Sequence, residues 1–404
     1  MDPVGGSGKY LNHRWMSDKS LLMPVNKSFQ EINEKIRKGE AVVLTAEEVS
    51  RLGKERSPAE VAREVDVVTT ATFGPMCSSG MFINVGHSTP PIRMEKASLN
   101  GVPVFTGIAA VDLYIGATEN HPENPSYGGA HVIEELIAGK DVELVAHAKG
   151  TDCYPRRDIR TTINRENINE MIMFNPRNAY QNYPTAVNTS NHIKYTYMGS
   201  LLPRLGNANY STSGELSPLL NDPGMRTLGL GTRIFLGGTT GYISWYGTQF
   251  RTDSELNPHG VPVSNAATLS VIGDGRQMDP SFIKAAYYEK YGVSMFVGIG
   301  VPIPVLDEEM AARVMVRNEQ ITTRVLDYGN PDHPELGRVN YEQLLSGEIE
   351  LQGKKIKTAP LSSLYKAREI AAILKKLVSK GKFLLVEPVE SFPSRKSLKS
   401  LEIR

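Results

Sequence analysis

The first regular hydrophobic pattern of the chain predicts a short amphipathic helix. Phe29, Ile32 and Ile36 recur at intervals of three and four residues, which places them on one face of a helix over residues 29–38. Gly39 follows the last apolar turn and is typical of a helix C-terminus. The apolar face indicates that this helix packs against a core.

A helix–strand unit follows and ends in a loop that contains a cysteine. Ser57-Pro58-Ala59-Glu60 combines an N-cap serine, a first-turn proline and a glutamate at the third position, so a helix begins here and runs to about residue 64. Residues 65–72 are rich in β-branched side chains and predict a buried strand. The loop over residues 73–80 comes next and contains Cys77.

A second unit has the same order, although its sequence does not repeat the first. The pattern predicts a helix over residues 130–138, closed by Gly139, and a strand over residues 142–148. The loop over residues 149–157 contains Cys153. Because α/β proteins place their sites at the ends of parallel strands, we expect both thiols at the same edge of one sheet.

The rest of the chain is polar, then glycine-rich, then amphipathic. Residues 160–215 are rich in Asn and Tyr and predict no long helix; they are either a polar surface excursion or a lid that contacts substrate. Residues 228–305 carry short β-like runs, with a turn at residues 237–241. Residues 361–380 predict one amphipathic helix, and residues 383–386 a following strand.

These patterns predict an α/β fold with a mixed, largely parallel sheet, flanking helices and a glycine-rich β region, with both cysteines on strand-end loops. Residues 1–15 lack the apolar core of a signal peptide and are expected to be a vector-derived leader. A catalytic α/β domain is predicted over residues 16–326 and a C-terminal accessory unit, packed on the core, over residues 327–392. Residues 393–404 are expected to form a flexible tail.

Composition excludes several classes of protein. The 404 residues carry 45 Lys and Arg against 44 Asp and Glu, so no basic excess points to nucleic acid or an anionic membrane. No apolar run is long enough for a membrane span. Two cysteines provide neither a disulfide framework nor a four-thiolate zinc site. Without an export signal we expect a reducing, cytoplasmic location, and a homo-oligomer stays open.

Cys77 is the first candidate for chemistry. Ser78, Ser79 and Gly80 follow it, and their backbone N–H groups are expected to converge on the sulfur or on a bound anion. Donors of this kind favour the thiolate, which is the reactive nucleophile. The alternative is a buried cysteine that acts as a small apolar residue.

Cys153 has a more basic setting. Arg156, Arg157 and Arg160 follow within seven residues, and cations near a thiol favour the thiolate. Arg156 and Arg157 are also candidates to bind a substrate carboxylate, since guanidinium groups pair with carboxylates through two hydrogen bonds. The alternative is a solvated arginine turn beside an inert thiol, with Asp152 paired to one of the arginines.

The remaining motifs select no cofactor. Neither a dinucleotide-binding glycine fingerprint nor a phosphate-binding loop is present, so no bound cofactor is predicted. A zinc site would require tertiary convergence, for example of Cys77, Cys153 and His147, and no metal is predicted. A Cys–His nucleophile pair with His131 or His147 stays open. The residues alone therefore also allow a thiol–disulfide oxidoreductase or a non-catalytic metal- or ligand-binding protein.

Three segments of the chain resemble the homocysteine biosynthesis family of anaerobic archaea and bacteria. They are FGPMCSSG at residues 73–80, GTDCYPRR at residues 150–157 and GTRIFLGG at residues 231–238; residues 358–370 are also similar. The resemblance covers about residues 27–392. Members of the family are described as L-aspartate semialdehyde sulfurtransferases, which implies an enzyme that incorporates sulfide sulfur into this aldehyde to form L-homocysteine.

The resemblance also implies roles for particular residues. Replacing the aldehyde oxygen by sulfur and reaching a thiol takes two electrons, which Cys77 and Cys153 would supply by closing to a disulfide, by a dithiol or a persulfide route. Their Cα atoms would then approach within about 4.4–6.8 Å. A ferredoxin-like protein would re-reduce them. Arg156 or Arg157 would bind the substrate carboxylate, and His131 is a candidate acid for the departing hydroxide.

Overall fold

Short helices and many short strands alternate along the chain. A computed structural model describes residues 24–178 and 182–403, so the leader predicted over residues 1–15 lies outside the described residues. Eight α-helices lie within them: α1 (Phe29–Lys38), α2 (Ala46–Leu52), α3 (Pro58–Glu64), α4 (Gly129–Ile137), α5 (Pro218–Asn221), α6 (Glu308–Val314), α7 (Tyr341–Leu345) and α8 (Leu364–Ser379). None of these helices is long and apolar enough to cross a membrane.

The strands, numbered in chain order, form three larger sheets and two small ribbons in the described residues. A ten-stranded sheet holds β1 (Val43–Thr45), β2 (Val67–Pro75), β3 (Gly80–Asn84), β6 (Asp112–Gly116), β9 (Glu170–Asn178), β15 (Arg233–Leu236), β16 (Thr239–Tyr246), β17 (Leu269–Asp274), β18 (Ile283–Tyr288) and β19 (Gly292–Pro304). A four-stranded sheet holds β4 (Lys96–Leu99), β5 (Val102–Val104), β7 (Val142–His147) and β8 (Asp158–Ile163). A six-stranded sheet holds β10 (Thr185–Val187), β13 (Ala208–Tyr210), β20 (Thr322–Asp327), β21 (Glu335–Asn340), β22 (Glu348–Leu351) and β23 (Lys354–Pro360). The ribbons are β11 (Lys194–Thr196) with β12 (Gly199–Leu201), and β14 (Gly229–Leu230) with β24 (Glu390–Ser391).

The predicted helix starts are confirmed in detail. Ser28 caps α1 by accepting the N–H of Glu31, and Gly39 closes it with a left-handed φ of 73°. Ser57 caps α3 in the same way through the N–H of Glu60. Capping depends only on residues three positions apart, so the sequence carries the whole signal.

The α/β class and the mixed sheets are confirmed, but the expectation of largely parallel strands is wrong. In the described residues only the pairs β1–β2, β10–β20 and β13–β23 are parallel, and the other pairs are antiparallel. Tight turns explain part of this difference. Gly237 and Gly238 both have positive φ, as a two-residue hairpin turn requires, and they join β15 to β16 as an antiparallel pair.

The two cysteine loops do not share a sheet edge, which corrects a further expectation. The loop with Cys77 follows β2 of the ten-stranded sheet, whereas the loop with Cys153 follows β7 of the four-stranded sheet. Both loops do lie at strand ends. Strand pairing joins residues far apart in the chain, so the local pattern of each unit could not reveal that the sheets differ.

The core of the ten-stranded sheet is built around β2, β19 and α8. The first eight residues of β2 are buried, as expected for a strand covered on both faces. Gly300 of β19 lets α8 approach closely, since a Cβ at this position would lie 3.0 Å from Ile370 and 3.2 Å from Leu374. The predicted amphipathic helix is thus confirmed as α8, which begins three residues later than expected.

The strand predicted over residues 383–386 is wrong, although the segment is buried. Phe383 and Leu385 reach the core with 4% and 5% exposure. The side-chain amide of Asn33 donates to the Leu385 carbonyl and accepts from its N–H, both at 2.9 Å. A side chain therefore satisfies the backbone groups that a strand would pair in a ladder.

The Asn- and Tyr-rich stretch contributes to the six-stranded sheet. Its strands β10 and β13 are buried along their whole length and lie next to each other. β10 also pairs with β20, and β13 with β23, so the sheet joins residues 185–210 to residues 322–360. The interpretation of this stretch as a polar surface excursion is therefore wrong for these strands. The accessory-unit boundary at residue 327 stays a prediction.

Candidate functional site

Cys77 lies half-buried in the turn between β2 and β3, and a buried amide from β9 holds that turn. Asn175, 1% exposed, donates through Nδ2 to Ser79 Oγ at 2.7 Å. Its Oδ1 accepts the backbone N–H of Arg177 at 2.8 Å and the hydroxyl of Ser78 at 3.3 Å. The Ser78 hydroxyl also donates to the Arg177 carbonyl at 2.8 Å. The order of the Cys77 turn therefore depends on β9.

Hydroxyl groups, not converging backbone N–H groups, surround the Cys77 sulfur. The Ser79 N–H donates to the Met76 carbonyl at 3.0 Å, so the expectation that it faces the sulfur is wrong. The sulfur instead lies 3.0 Å from the hydroxyl of the buried Ser294. Burial, followed by the nearby Cys77, raises the pKa of Tyr291 to about 12. Tyr291 is therefore protonated at neutral pH and can donate to the sulfur.

Cys77 opens into a cavity of about 320 Å³, which we call the thiol cavity. The cavity lies among the end of β2, loops of the six-stranded sheet and the segment before α8. It is lined by Thr72, Gly74, Pro75, Met76, Cys77, Ser78, Arg177, Tyr183, Tyr197, Met198, Ser211, Thr212, Ser217, Tyr291, Leu361 and Ser362. None of these lining residues is acidic, and one is a cation.

Arg177 is that cation, and the sequence reasoning missed it. Among the described residues, none forms a hydrogen bond or an ion pair with its guanidinium group, although its backbone is fixed by Ser78 and Asn175. An arginine without a carboxylate partner beside a thiol can bind an anionic substrate group through two hydrogen bonds. Asn175 and Arg177 follow the apolar run of residues 171–174 within the same strand, and this change to polar residues was the signal that could have found Arg177.

Three tyrosines form a hydrogen-bonded row at one wall of the thiol cavity. The Tyr183 hydroxyl donates a hydrogen bond to the Tyr197 hydroxyl. The Tyr197 hydroxyl also lies 2.7 Å from the Tyr328 hydroxyl, within hydrogen-bond distance. Tyr183 and Tyr197 also line a second cavity of about 390 Å³, and Arg177 does the same. Tyr328 and His333 line only this second cavity, so the tyrosine row runs from one cavity to the other. These contacts favour the alternative in which the Asn- and Tyr-rich stretch contacts substrate.

Cys153 lies elsewhere, in an exposed loop between β7 and β8. Arg156 anchors this loop by donating to the carbonyls of Thr89 and Pro90 at 2.6 and 3.0 Å. Cys77 and Cys153 are both free thiols, and Cys153 is not among the residues that line the thiol cavity. The pairing of the two thiols stays a prediction.

The other predicted site residues also lie outside the thiol cavity. Ser79 and Gly80 do not line it, and Arg157 is exposed on the Cys153 loop. His131 lies in the first turn of α4, where its Nδ1 accepts the Gly128 N–H at 3.2 Å. Burial lowers the pKa of His131. Its contacts are those of a helix-capping residue.

The described side chains do not form a metal site. His147 pairs with Asp158 at 2.6 Å, and both side chains are exposed. Across residues 24–178 and 182–403, no group of three or more His, Cys, Asp and Glu side chains could hold a metal ion. The alternative of a zinc site at Cys77, Cys153 and His147 gains no support from this arrangement.

Comparison with known proteins places this site in a family. Residues 41–385 match the family model described as homocysteine biosynthesis enzyme, sulfur-incorporation. The chain belongs to this family. It is 47% identical over 381 residues to the L-aspartate semialdehyde sulfurtransferase of Methanosarcina acetivorans, covering 94% of this chain and 74% of that protein. It is 48% identical over 386 residues to the protein of the same name from Methanocaldococcus jannaschii, covering 91% and 73%.

No solved structure matches the chain. The family and the two relatives identify an enzyme of the sulfurtransferase kind that belongs to homocysteine biosynthesis. The non-catalytic alternative is thereby set aside. Within this family, the cavity at Cys77 is the candidate active site.

Proposed function

We propose that this enzyme forms L-homocysteine from L-aspartate semialdehyde and sulfide in the thiol cavity. One observation carries the proposal: Cys77 shares a small cavity with several hydroxyl donors and with Arg177, whose guanidinium group has no partner among the described residues, in a chain of the sulfur-incorporation family. A volume of about 320 Å³ is at the small end for ligand sites, which suits an amino-acid aldehyde.

Arg177 is the proposed partner of the substrate carboxylate. It replaces Arg156 and Arg157 in this role, because the Arg156 guanidinium already bonds to two backbone carbonyls and Arg157 lies outside the cavity. The substrate ammonium would lie against neutral oxygens such as the Thr212 hydroxyl, because none of the described residues that line the cavity is acidic. The aldehyde would then face Cys77.

The proposed reaction starts without electron transfer. Sulfide adds to the aldehyde carbon to give a hemithioacetal, which loses water to give a thioaldehyde. The Cys77 thiolate then attacks the thioaldehyde sulfur, and the carbon takes up a proton, which leaves a mixed disulfide. A second thiol attacks the Cys77 sulfur, releases the homocysteine thiolate and leaves a disulfide that holds the two oxidising equivalents.

Cys153 is the proposed second thiol, and a ferredoxin-like protein the proposed reductant of the disulfide. In this proposal the loop over residues 149–157 leaves its contacts with Thr89 and Pro90 and brings Cys153 to Cys77. A persulfide on Cys77 is the alternative form of the sulfur. It would need two further electrons, since its outer sulfur is more oxidised than sulfide.

The proposal is tested by measuring homocysteine formed from L-aspartate semialdehyde, sulfide and a strong chemical reductant. We expect Cys77→Ala and Cys77→Ser to abolish product, because the attacking sulfur is lost. In a single-turnover reaction without the reductant, we expect Cys153→Ala to stop before product release, with the mixed disulfide on Cys77 detectable by mass spectrometry.

The outcomes separate the parts of the proposal. No product from the unmodified enzyme would contradict the function, and full activity of Cys77→Ala would contradict the site. Full activity of Cys153→Ala would contradict only the pairing of the two thiols, and would assign the second attack to an external thiol.

A further inference from the structure

The tyrosine row links the thiol cavity to a second cavity. Tyr197 lines both, and its hydroxyl lies between those of Tyr183 and Tyr328. Tyr328 is half-buried, and its ring stacks on the exposed imidazole of His333 with centroids 4.2 Å apart. A hydrogen-bonded row of hydroxyl groups thus runs from the thiol cavity to the second cavity, where an exposed imidazole packs against the ring of Tyr328.

The second cavity is suited to supply protons. Arg251 and Arg324 also line it, but each is paired with a carboxylate, Asp253 and Glu335 respectively, at 2.6 Å. His333 also lines this cavity, and its exposed imidazole carries ring nitrogens that can accept and donate a proton.

We infer that Tyr197 is the catalytic acid that protonates the oxygen leaving the substrate, and that Tyr328 and His333 return its proton from the second cavity. This inference rests on the proposed function. In the step concerned, the hemithioacetal loses its C–O bond and forms a C=S bond. The departing hydroxide takes the Tyr197 proton and leaves as water, while the S–H proton goes to solvent, so no electrons are exchanged.

The chemistry of the two candidate phenols favours Tyr197 over Tyr291. A phenol is a much stronger acid than water, so proton transfer from tyrosine to a departing hydroxide is favourable. Tyr291 also lines the thiol cavity, but its hydroxyl interacts with the Cys77 sulfur, and its pKa is raised to about 12. Tyr197 instead has a neighbouring hydroxyl on the side of the second cavity, which can restore its proton.

The experiment measures homocysteine formation under conditions where the rate no longer depends on the reductant concentration. We expect Tyr197→Phe to lower kcat about 10²- to 10⁴-fold, the usual contribution of general acid catalysis, with little change in KM. Tyr328→Phe is expected to lower kcat about 10-fold. The matched control is Tyr210→Phe, which removes a buried tyrosine hydroxyl that lines neither cavity.

A rescue measurement separates proton transfer from structural support. His333 has a φ of 44°, so His333→Gly keeps the backbone unstrained and leaves room for a small base. We expect this variant to lose activity and to regain it when imidazole is added, whereas Tyr210→Phe should not respond. Melting temperatures of all variants should stay within a few degrees of the unmodified enzyme.

Either of two results would overturn the inference while the proposed function stands. The first is full activity of Tyr197→Phe. The second is a loss in His333→Gly that imidazole does not restore, together with unchanged kcat in Tyr328→Phe. If Tyr197→Phe fails to fold, the activities of Tyr328→Phe and His333→Gly test the inference in its place. Absence of product from the unmodified enzyme would instead count against the proposed function.

Discussion

Arg177 offers the sharpest test of how this enzyme holds its substrate. Arg177 lines the thiol cavity, and no described residue pairs with its guanidinium group, so Arg177→Ala leaves no described carboxylate without a partner. The expected loss is therefore the substrate contact alone. Arg177→Lys keeps the charge but loses the planar fork that fits a carboxylate.

The size of the expected change in KM follows from the hydrogen bonds between the Arg177 guanidinium group and the substrate carboxylate. A hydrogen bond to a charged group contributes about 1.5–3 kcal/mol, and each 1.4 kcal/mol is a factor of ten in affinity. Arg177→Ala should raise KM for L-aspartate semialdehyde by roughly 10- to 150-fold, and Arg177→Lys by less. Because the carboxylate is remote from the reacting carbon, kcat should change little.

The assay is the initial rate of homocysteine formation at increasing concentrations of L-aspartate semialdehyde. Arg156→Ala and Arg157→Ala are the matched controls, since both residues lie outside the thiol cavity. Their KM values should stay within about twofold of the unmodified enzyme, less than the loss of one charged hydrogen bond. An unchanged KM in Arg177→Ala, or a rise of the same size in either control, would refute the reasoning.

Two further predictions concern the support of the site and of the fold. Asn175→Ala leaves the buried N–H of Arg177 without its acceptor, so the free energy of unfolding should fall by about 1–3 kcal/mol, measured by denaturant titration; an unchanged value would contradict the role of this amide. Burial raises the pKa of Asp66, but its bonds to Lys35 and Lys27 outweigh burial and lower it overall. Its stabilisation should therefore be complete above about pH 4 and disappear as the pH falls through the lower pKa of the folded state. The stability difference from Asp66→Asn, followed by thermal unfolding from about pH 7 down to about pH 2, should shrink as the pH falls; a difference that stays constant over this range would contradict this sign.

Local signals in the sequence were sufficient for α1, α3, α4 and α8, whereas α5, α6 and α7 were not predicted. Ser28 and Ser57 sit three residues before a glutamate, and both helices begin there. The apolar spacing of α8 likewise fixed its inward face, because helix periodicity is a property of neighbouring residues. No comparable signal exists for strand pairing, so the number and direction of the sheets could not be inferred.

In the candidate site, likewise, some residues could be predicted from the local sequence and others reach the site only through strand pairing. Cys77 and Ser78 were found because the loop itself carries them, and both line the cavity. Arg156 was chosen because it is near Cys153 in the chain, but nearness to a cysteine is not nearness to the cavity. Arg177 and Asn175 reach the site only because β9 pairs with β3, which are separated by more than 80 residues of chain.

The pairing of β2 with β19 has a consequence for how the chain reaches its folded state. Paired residues in these strands are more than 200 positions apart, so the sheet around Cys77 has a high contact order and is expected to form slowly. During synthesis at about 5–20 residues per second, β2 waits roughly 10–40 s for its partner. Over that interval its eight buried residues and unpaired backbone are open to wrong partners. The thiol cavity is complete only after β19 and the segment before α8 have emerged, so a nascent chain cannot form the candidate site until most of the chain has been made.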